Sequence, residues 1–300
     1  MSKKINIVKK GLQWGKQIHS PINLHEIAHP VDKALLSGLE AIHVEYLLNE
    51  PVEQMVAAQY GSTLAIGIVV DDNNFPELFK LLKGICRRVG IKIPYTVISN
   101  EISGINAFAT GTDEKPYIVL SNYAPSLMKS PELKFILAHE CGHIAMQHMV
   151  YHTAVVLSAA AGGLIPLIGP AVAKLAVFPL NFWNRCSEIT ADHIGLLCCE
   201  DLQSSQRALL RIVGGMTNVN NIDIDHYIAQ SKKIMDSHLL SKIGEYFQSH
   251  PMIYKRLKAL EYFSESELYY RASGKTAPQN IKLYTTAQLN EKISNLLSVL

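Results

Sequence analysis

Ser130-Pro131-Glu132-Leu133-Lys134-Phe135-Ile136-Leu137-Ala138-His139-Glu140-Cys141-Gly142-His143-Ile144-Ala145-Met146 is the stretch on which the fold turns. Ser130 suits a helix cap, Pro131 the first helical position and Glu132 the electropositive first turn. No proline interrupts the run after Pro131, and the spacing predicts one helix from there to about His152. Five apolar residues precede His139, and Ile144, Ala145 and Met146 come after His143. A helix apolar over so much of its surface is a buried one, where histidine and glutamate are costly without partners.

The spacing of those polar residues suggests the partner. His139 and His143 are four apart, so on a helix their side chains lie about 40° apart, one turn apart on one face. Both imidazoles can then reach a single tetrahedral ion at about 2.0–2.1 Å. Glu140 lies about 100° round from His139, on the flank of that face, where a carboxylate can hold water on the ion. Zinc lowers the pKa of such a water to about 7, and the carboxylate takes its proton as it attacks a carbonyl. The ordinary alternative is a pair of core histidines bonded to backbone carbonyls.

The same H-E-x-x-H pattern occurs at His25-Glu26-Ile27-Ala28-His29. Here Pro30 pushes His29 out of helical geometry, and Pro21 leaves little room for a helix before it. This copy is read as part of a polar arm and not as the metal site. A third ligand is still required. The longer pattern that places another histidine on the same helix fails, because Met146 and Met149 stand where Gly and His would be. His148 and His152 fall about 180° and 220° from His139, and are read as contacts on the far side. Downstream, Arg185-Cys186-Ser187-Glu188-Ile189-Thr190-Ala191-Asp192 puts Glu188 and Asp192 four apart on one face, with Arg185 one turn earlier. Glu188 can bind a metal and Asp192 can orient a ligand histidine, but on spacing alone a solvated Arg–Glu–Asp face is the favoured reading.

Composition narrows the class. The chain has 300 residues, 48% hydrophobic and 18% charged, with a net charge of +2. That is a folded protein without the clustered basic face that nucleic acid needs. Five cysteines without framework spacing, and a start lacking an apolar core between its charges, give a cytoplasmic, reducing location as the default. Residues 154–180 are nearly uncharged, but glycines and prolines from Gly162 to Pro170 cut them into short pieces. They are read as an apolar helical hairpin, with peripheral membrane association through it left open.

Outward from these motifs, residues 1–30 are an N-terminal arm and 31–272 the main domain. Within the domain, 31–90 are helical, with Asn73 or Asn74 capping the helix at Pro76. Residues 91–121 form a small antiparallel sheet from the runs PYTVIS, INAFAT and PYIVLS. The central helix comes next over 131–152, then the hairpin, then helices over 181–272. Residues 273–300 are a linker and an amphipathic helix. The expected fold is α+β and predominantly helical, with one helix carrying the histidines beside the sheet and a second carrying Glu188.

Four segments in order, NAFATG (106–111), LAHECGHI (137–144), NRCSEITADHIGLL (184–197) and SHPMIYKRL (249–257), resemble the gluzincin peptidases that include the HtpX heat-shock proteases and the type I CAAX prenyl proteases. The likeness spans roughly residues 90–260 and is to the shorter, soluble or peripheral bacterial members. It implies a zinc endopeptidase with one Zn2+ per chain, Glu140 as base, and peptide or protein substrates. It implies Glu188 as third ligand with His139 and His143, and Asp192 beside them, where Arg185 would offset the acids. It also implies the Asn106–Ala107–Phe108 strand as the edge that pairs with substrate, and His250 as an aid to the tetrahedral intermediate. Two other readings stand beside it: a non-hydrolytic, zinc-stabilised binding or chaperone-like protein, and a membrane-associated quality-control protease.

Overall fold

The three β-type runs form strands: β2 (Tyr95–Ser99), β3 (Ala107–Gly111) and β4 (Pro116–Ser121), joined by a short β1 (Ile68–Val69). The computed structural model describes residues 21–41, 61, 63, 67–100, 102–112, 114–149, 151, 170–237 and 251–298. Among these the sheet has the order β1-β2-β4-β3. It is mixed and not antiparallel as expected, because β4 runs parallel to β2 and antiparallel to β3. Burial explains the order. Ile118, Val119 and Leu120 of β4 are almost fully buried, so the most apolar strand takes the centre. β3, with Phe108 exposed, is left at the edge.

Helix α3 (Pro76–Val89) lies in the core through Leu78, Leu81, Leu82, Ile85, Cys86 and Val89, an i, i+3, i+4 stripe. Its start is not capped by Asn73 or Asn74. Both donate their amides to Asp71 Oδ1, and Phe75 precedes the helix in a left-handed conformation.

Helix α5 (Ser130–Ala145) comes after the short α4 (Tyr123–Leu127). Its cap is Lys129, one residue earlier than expected, because Glu132 Oε2 accepts the Lys129 amide hydrogen at 2.7 Å. Glu132 is buried and also meets Arg211 Nε at 2.9 Å, which ties α7 (Leu202–Gly214) to this end of α5.

The other end of α5 departs further. The helix stops at Ala145, not near His152, which lies outside the described residues. Met146 N–H bonds Gly142 O, Gln147 takes a left-handed φ of 57°, and His148 N–H returns to His143 O at 3.0 Å. No glycine announces this turn. Tertiary burial overrides local preference: His148, Met149 and Tyr151 all lie buried, with His148 and Tyr151 edge-on to Trp183.

Trp183 belongs to α6 (Pro170–Cys199), one 30-residue helix. Residues 154–169 of the expected hairpin lie outside the described residues, and 170–180 form the first turns of α6 instead of half a hairpin. No described helix is long and apolar enough to cross a membrane. The most extensive contact between described elements is α5 against α6. Two glycines allow it. A Cβ on Gly142 would sit 3.3 Å from the Ala191 Cα, and one on Gly195 would sit 2.8 Å from the Phe135 ring.

Residues 22–29, expected as polar arm, lie against α6. Ile22, before α1 (Leu24–Ile27), Ile27 at its end, and Ala28 and His29, between α1 and α2 (Pro30–Ala41), are buried. Downstream come α8 (Ile224–Ser237), α9 (Ile253–Ser264), α10 (Glu267–Ser273) and α11 (Thr286–Leu297). Leu289, Ile293 and Leu297 form the buried stripe of α11, as the amphipathic pattern of the last segment implies.

Candidate metal centre

The close approach of α5 and α6 brings three donors together. His139 Nε2 and His143 Nε2 are 3.1 Å apart, His143 Nε2 is 3.3 Å from Glu188 Oε1, and His139 Nε2 is 3.6 Å from Glu188 Oε2. Donors on a tetrahedral ion with bonds of 2.0–2.1 Å would be separated by about 3.3 Å. All three side chains are buried, and they are the only such group of metal-capable residues among those described. The charges fit a divalent cation as well. Among the described residues, Glu140, Glu188 and Asp192 set three carboxylates against the guanidinium of Arg256, all buried, and an ion of charge two would balance them.

Each histidine is held from behind, by different means. His139 Nδ1 lies 2.9 Å from Asp192 Oδ1, which fixes the ring with Nε2 toward the other donors. Burial opposes protonation of His139, but the hydrogen bond and charge of Asp192, with Glu188, outweigh it and raise its pKa. His143 Nδ1 instead lies 3.0 Å from His148 Nδ1, and burial pushes its pKa down to about 4.

Arg256 of α9 is the cation of the centre. Its Nε and a terminal nitrogen form a fork on Asp192 at 2.7 and 2.6 Å, while the other terminal nitrogen reaches Glu188 at 3.0 Å. Burial works against its charge, but the two carboxylates hold its pKa above the ordinary arginine value. Arg185, expected in this part, lies one turn back on α6 with its guanidinium over the Phe182 ring. Arg256 falls within the fourth resembling segment, but its spacing to the acids spans separate elements and carries no signal of its own.

Glu140 points to the sheet edge. Its Oε2 accepts the amide hydrogen of Ala109 at 2.7 Å, so the outer side of β3 faces this carboxylate. Burial raises the Glu140 pKa to about 7, although His139 and the Ala109 amide pull it down. Of the expected strand, Asn106 turns its side chain to the Ala107 amide and Phe108 is 42% exposed beside the site. The residue whose backbone meets Glu140, Ala109, is one further on. His250 lies outside the described residues.

The early H-E-x-x-H copy does not form a centre. α1 ends at Ile27, Ala28 is extended, and His29 lies outside both helices, in keeping with the restriction that Pro30 places on it. His29 instead latches elements together: its amide donates to Thr190 Oγ1, and its Nε2 lies 3.4 Å from Ser294 Oγ.

The model for peptidase family M48 matches residues 72–264, which contain α5, α6 and the sheet strands β2–β4. Among curated relatives, the plastoglobule-localized metallopeptidase 48 of Arabidopsis thaliana is 24% identical over 278 residues, 87% of this chain and 79% of its own. A protease HtpX homolog of Gemmatimonas aurantiaca is 24% identical over 256 residues, covering 76% of this chain and 88% of the relative. One from Halobacterium salinarum is 32% identical over 103 residues, a third of either chain. No solved structure matches. With well over half its length matched and with proteases among its relatives, the chain belongs to peptidase family M48 and is a metalloprotease acting on peptides or proteins.

Proposed function

We propose that the chain is a zinc-dependent endopeptidase in which His139, His143 and Glu188 hold one Zn2+ and Glu140 is the general base. The observation that carries this is the trio of donor separations, 3.1, 3.3 and 3.6 Å, which match the edges of a tetrahedral site. A zinc ion there would supply Lewis acidity, lowering the pKa of bound water to about 7 and polarising the scissile carbonyl.

The chain's own groups do the rest. Glu140, ionised, takes a proton on its carboxylate and delivers it to the leaving amine. The Ala109 amide holds Glu140 in place and turns the free edge of β3 toward it. An extended substrate pairing with that edge, over Asn106, Ala107 and Phe108, gains main-chain hydrogen bonds largely indifferent to its sequence. Asp192 and Arg256 hold His139 and Glu188 in a buried, water-poor surround. His250 is proposed as the donor to the developing oxyanion, on the ground that it precedes α9, which carries Arg256 into the centre. Five free, buried cysteines fit a reducing compartment, and we place the enzyme in the cytoplasm.

Three protein donors leave one tetrahedral position for water or substrate, which favours catalysis over a purely structural ion. Zinc content and casein hydrolysis in wild type, Glu140→Gln and Glu188→Ala test the reading. Glu140→Gln should keep about one zinc and lose hydrolysis, while Glu188→Ala should lose both. Full hydrolysis by Glu140→Gln overturns the mechanism.

A further inference from the structure

The turn that ends α5 directs His148 back over His143, and the contact does not stop there. His148 Nε2 lies 3.2 Å from Asp32 Oδ1, an oxygen that also accepts the Trp183 indole hydrogen at 2.8 Å. Asp32 and His148 are both fully buried. Asp32 sits on α2, more than a hundred residues before His139 in the chain, outside the residues matched to the family.

The distances admit one directed pattern of protons. If Nε2 of His143 is kept free as a donor to a metal, its hydrogen is on Nδ1 and is given to His148 Nδ1. The hydrogen of His148 is then on Nε2 and is given to Asp32. Each ring stays neutral, each bond has one donor and one acceptor, and the chain ends on a carboxylate. A carboxylate behind a ligand histidine fixes its tautomer and increases its basicity.

We propose that Asp32 and His148 are positioning residues for the metal site, holding His143 through an Asp32–His148–His143 relay that makes metal affinity depend on the docking of α2. The proposal rests on His143 being a zinc ligand. By linkage the coupling runs both ways: metal binding at α5 and α6 stabilises α2 in place. The N-terminal segment is thus part of the centre and not a cover over it.

The experiment uses the full chain, stripped and reloaded with zinc in competition with a chromophoric chelator, and separately loaded with cobalt for its visible spectrum. Variants are Asp32→Asn, His148→Gln and His148→Phe, with circular dichroism to report folding. His148→Phe should weaken zinc binding tenfold to a hundredfold, Asp32→Asn about tenfold, and His148→Gln should restore part of the loss. The cobalt spectrum should shift in both weakened variants. Hydrogen exchange over residues 30–41 should slow when zinc is added to wild type, and less so in Asp32→Asn. A merely structural role lowers thermal stability but leaves the cobalt spectrum and the zinc affinity of the folded fraction unchanged, and that result overturns the relay. If His148→Phe fails to fold, the near-isosteric Asp32→Asn decides by the same readouts. Wild type that takes up no zinc overturns the metal site itself, and the relay with it.

Discussion

His139 and His143 stand one turn apart on one helix, yet they are supported in opposite ways. Behind His139 is a carboxylate in direct contact, Asp192, itself locked by the Arg256 fork. Behind His143 is another imidazole, and the carboxylate is one step removed on the N-terminal helix. The first support comes from helices within the family-matched region, α6 and α9, while the second starts at His148 within it and ends at Asp32 outside it. The catalytic region thus has one ligand held wholly by its own elements and one whose support, passed through His148, ends on a helix docked onto it.

The largest effect that can sharpen this contrast is on Asp192. Asp192→Asn should lower zinc affinity about a hundredfold, more than the corresponding Asp32→Asn. It also leaves Arg256 with an unpaired share of buried charge and should destabilise the fold by about 3–5 kcal/mol. Chelator competition and denaturant unfolding measure the two effects, and equal losses for the two aspartates would erase the distinction between direct and relayed support.

The next effect concerns a histidine that supports no proposed ligand. Burial lowers the pKa of His29 to about 4 from 6.5, with Asp32 pulling the other way. The unfolded chain therefore binds the proton more readily than the folded one. Stability from neutral His29 is complete above pH 6.5 and is lost as pH falls to about 4, a difference of roughly 3 kcal/mol. In chelator-treated protein, the thermal midpoint should fall over that window, and His29→Gln should flatten the fall. An unchanged slope would show that His29 is not the latch its contacts describe.

A smaller effect tests the helix contact on which both supports depend. Gly195→Ala forces the Phe135 ring to move and should destabilise by about 1–3 kcal/mol while weakening zinc binding. Smallest is the effect of Gln147→Gly. Glycine adopts the left-handed φ of 57° freely, so the turn behind His148 should be kept, with stability changed by no more than about 1 kcal/mol and zinc affinity unaltered.

These two histidines also show how much of the molecule can be read without coordinates. The helix of His139 is legible from its spacing of four, whereas Glu188 and Asp192, which spacing alone puts only on one shared face, are placed beside the histidines by the resemblance of the four segments. The early H-E-x-x-H copy is legible as a decoy, because proline restricts the residue before it. The relay is not. Helical spacing carried on to His152 puts His148 on the far side, and only tertiary burial under Trp183 ends α5 at Ala145. Arg256 and Ala109 escape a reading by spacing for a related reason: they meet Glu188, Asp192 and Glu140 across separate elements, where no sequence period applies. The sheet reads as antiparallel from its short runs, but strand pairing follows burial of β4 and not chain order.

The most direct test of the centre is X-ray absorption at the zinc edge of the full chain carrying one equivalent of zinc, beside His143→Ala. Wild type should show a shell of nitrogen and oxygen at about 2.0–2.1 Å with two imidazoles, and the variant one imidazole fewer. A sulfur shell near 2.3 Å, or a two-imidazole spectrum that survives His143→Ala, would contradict it.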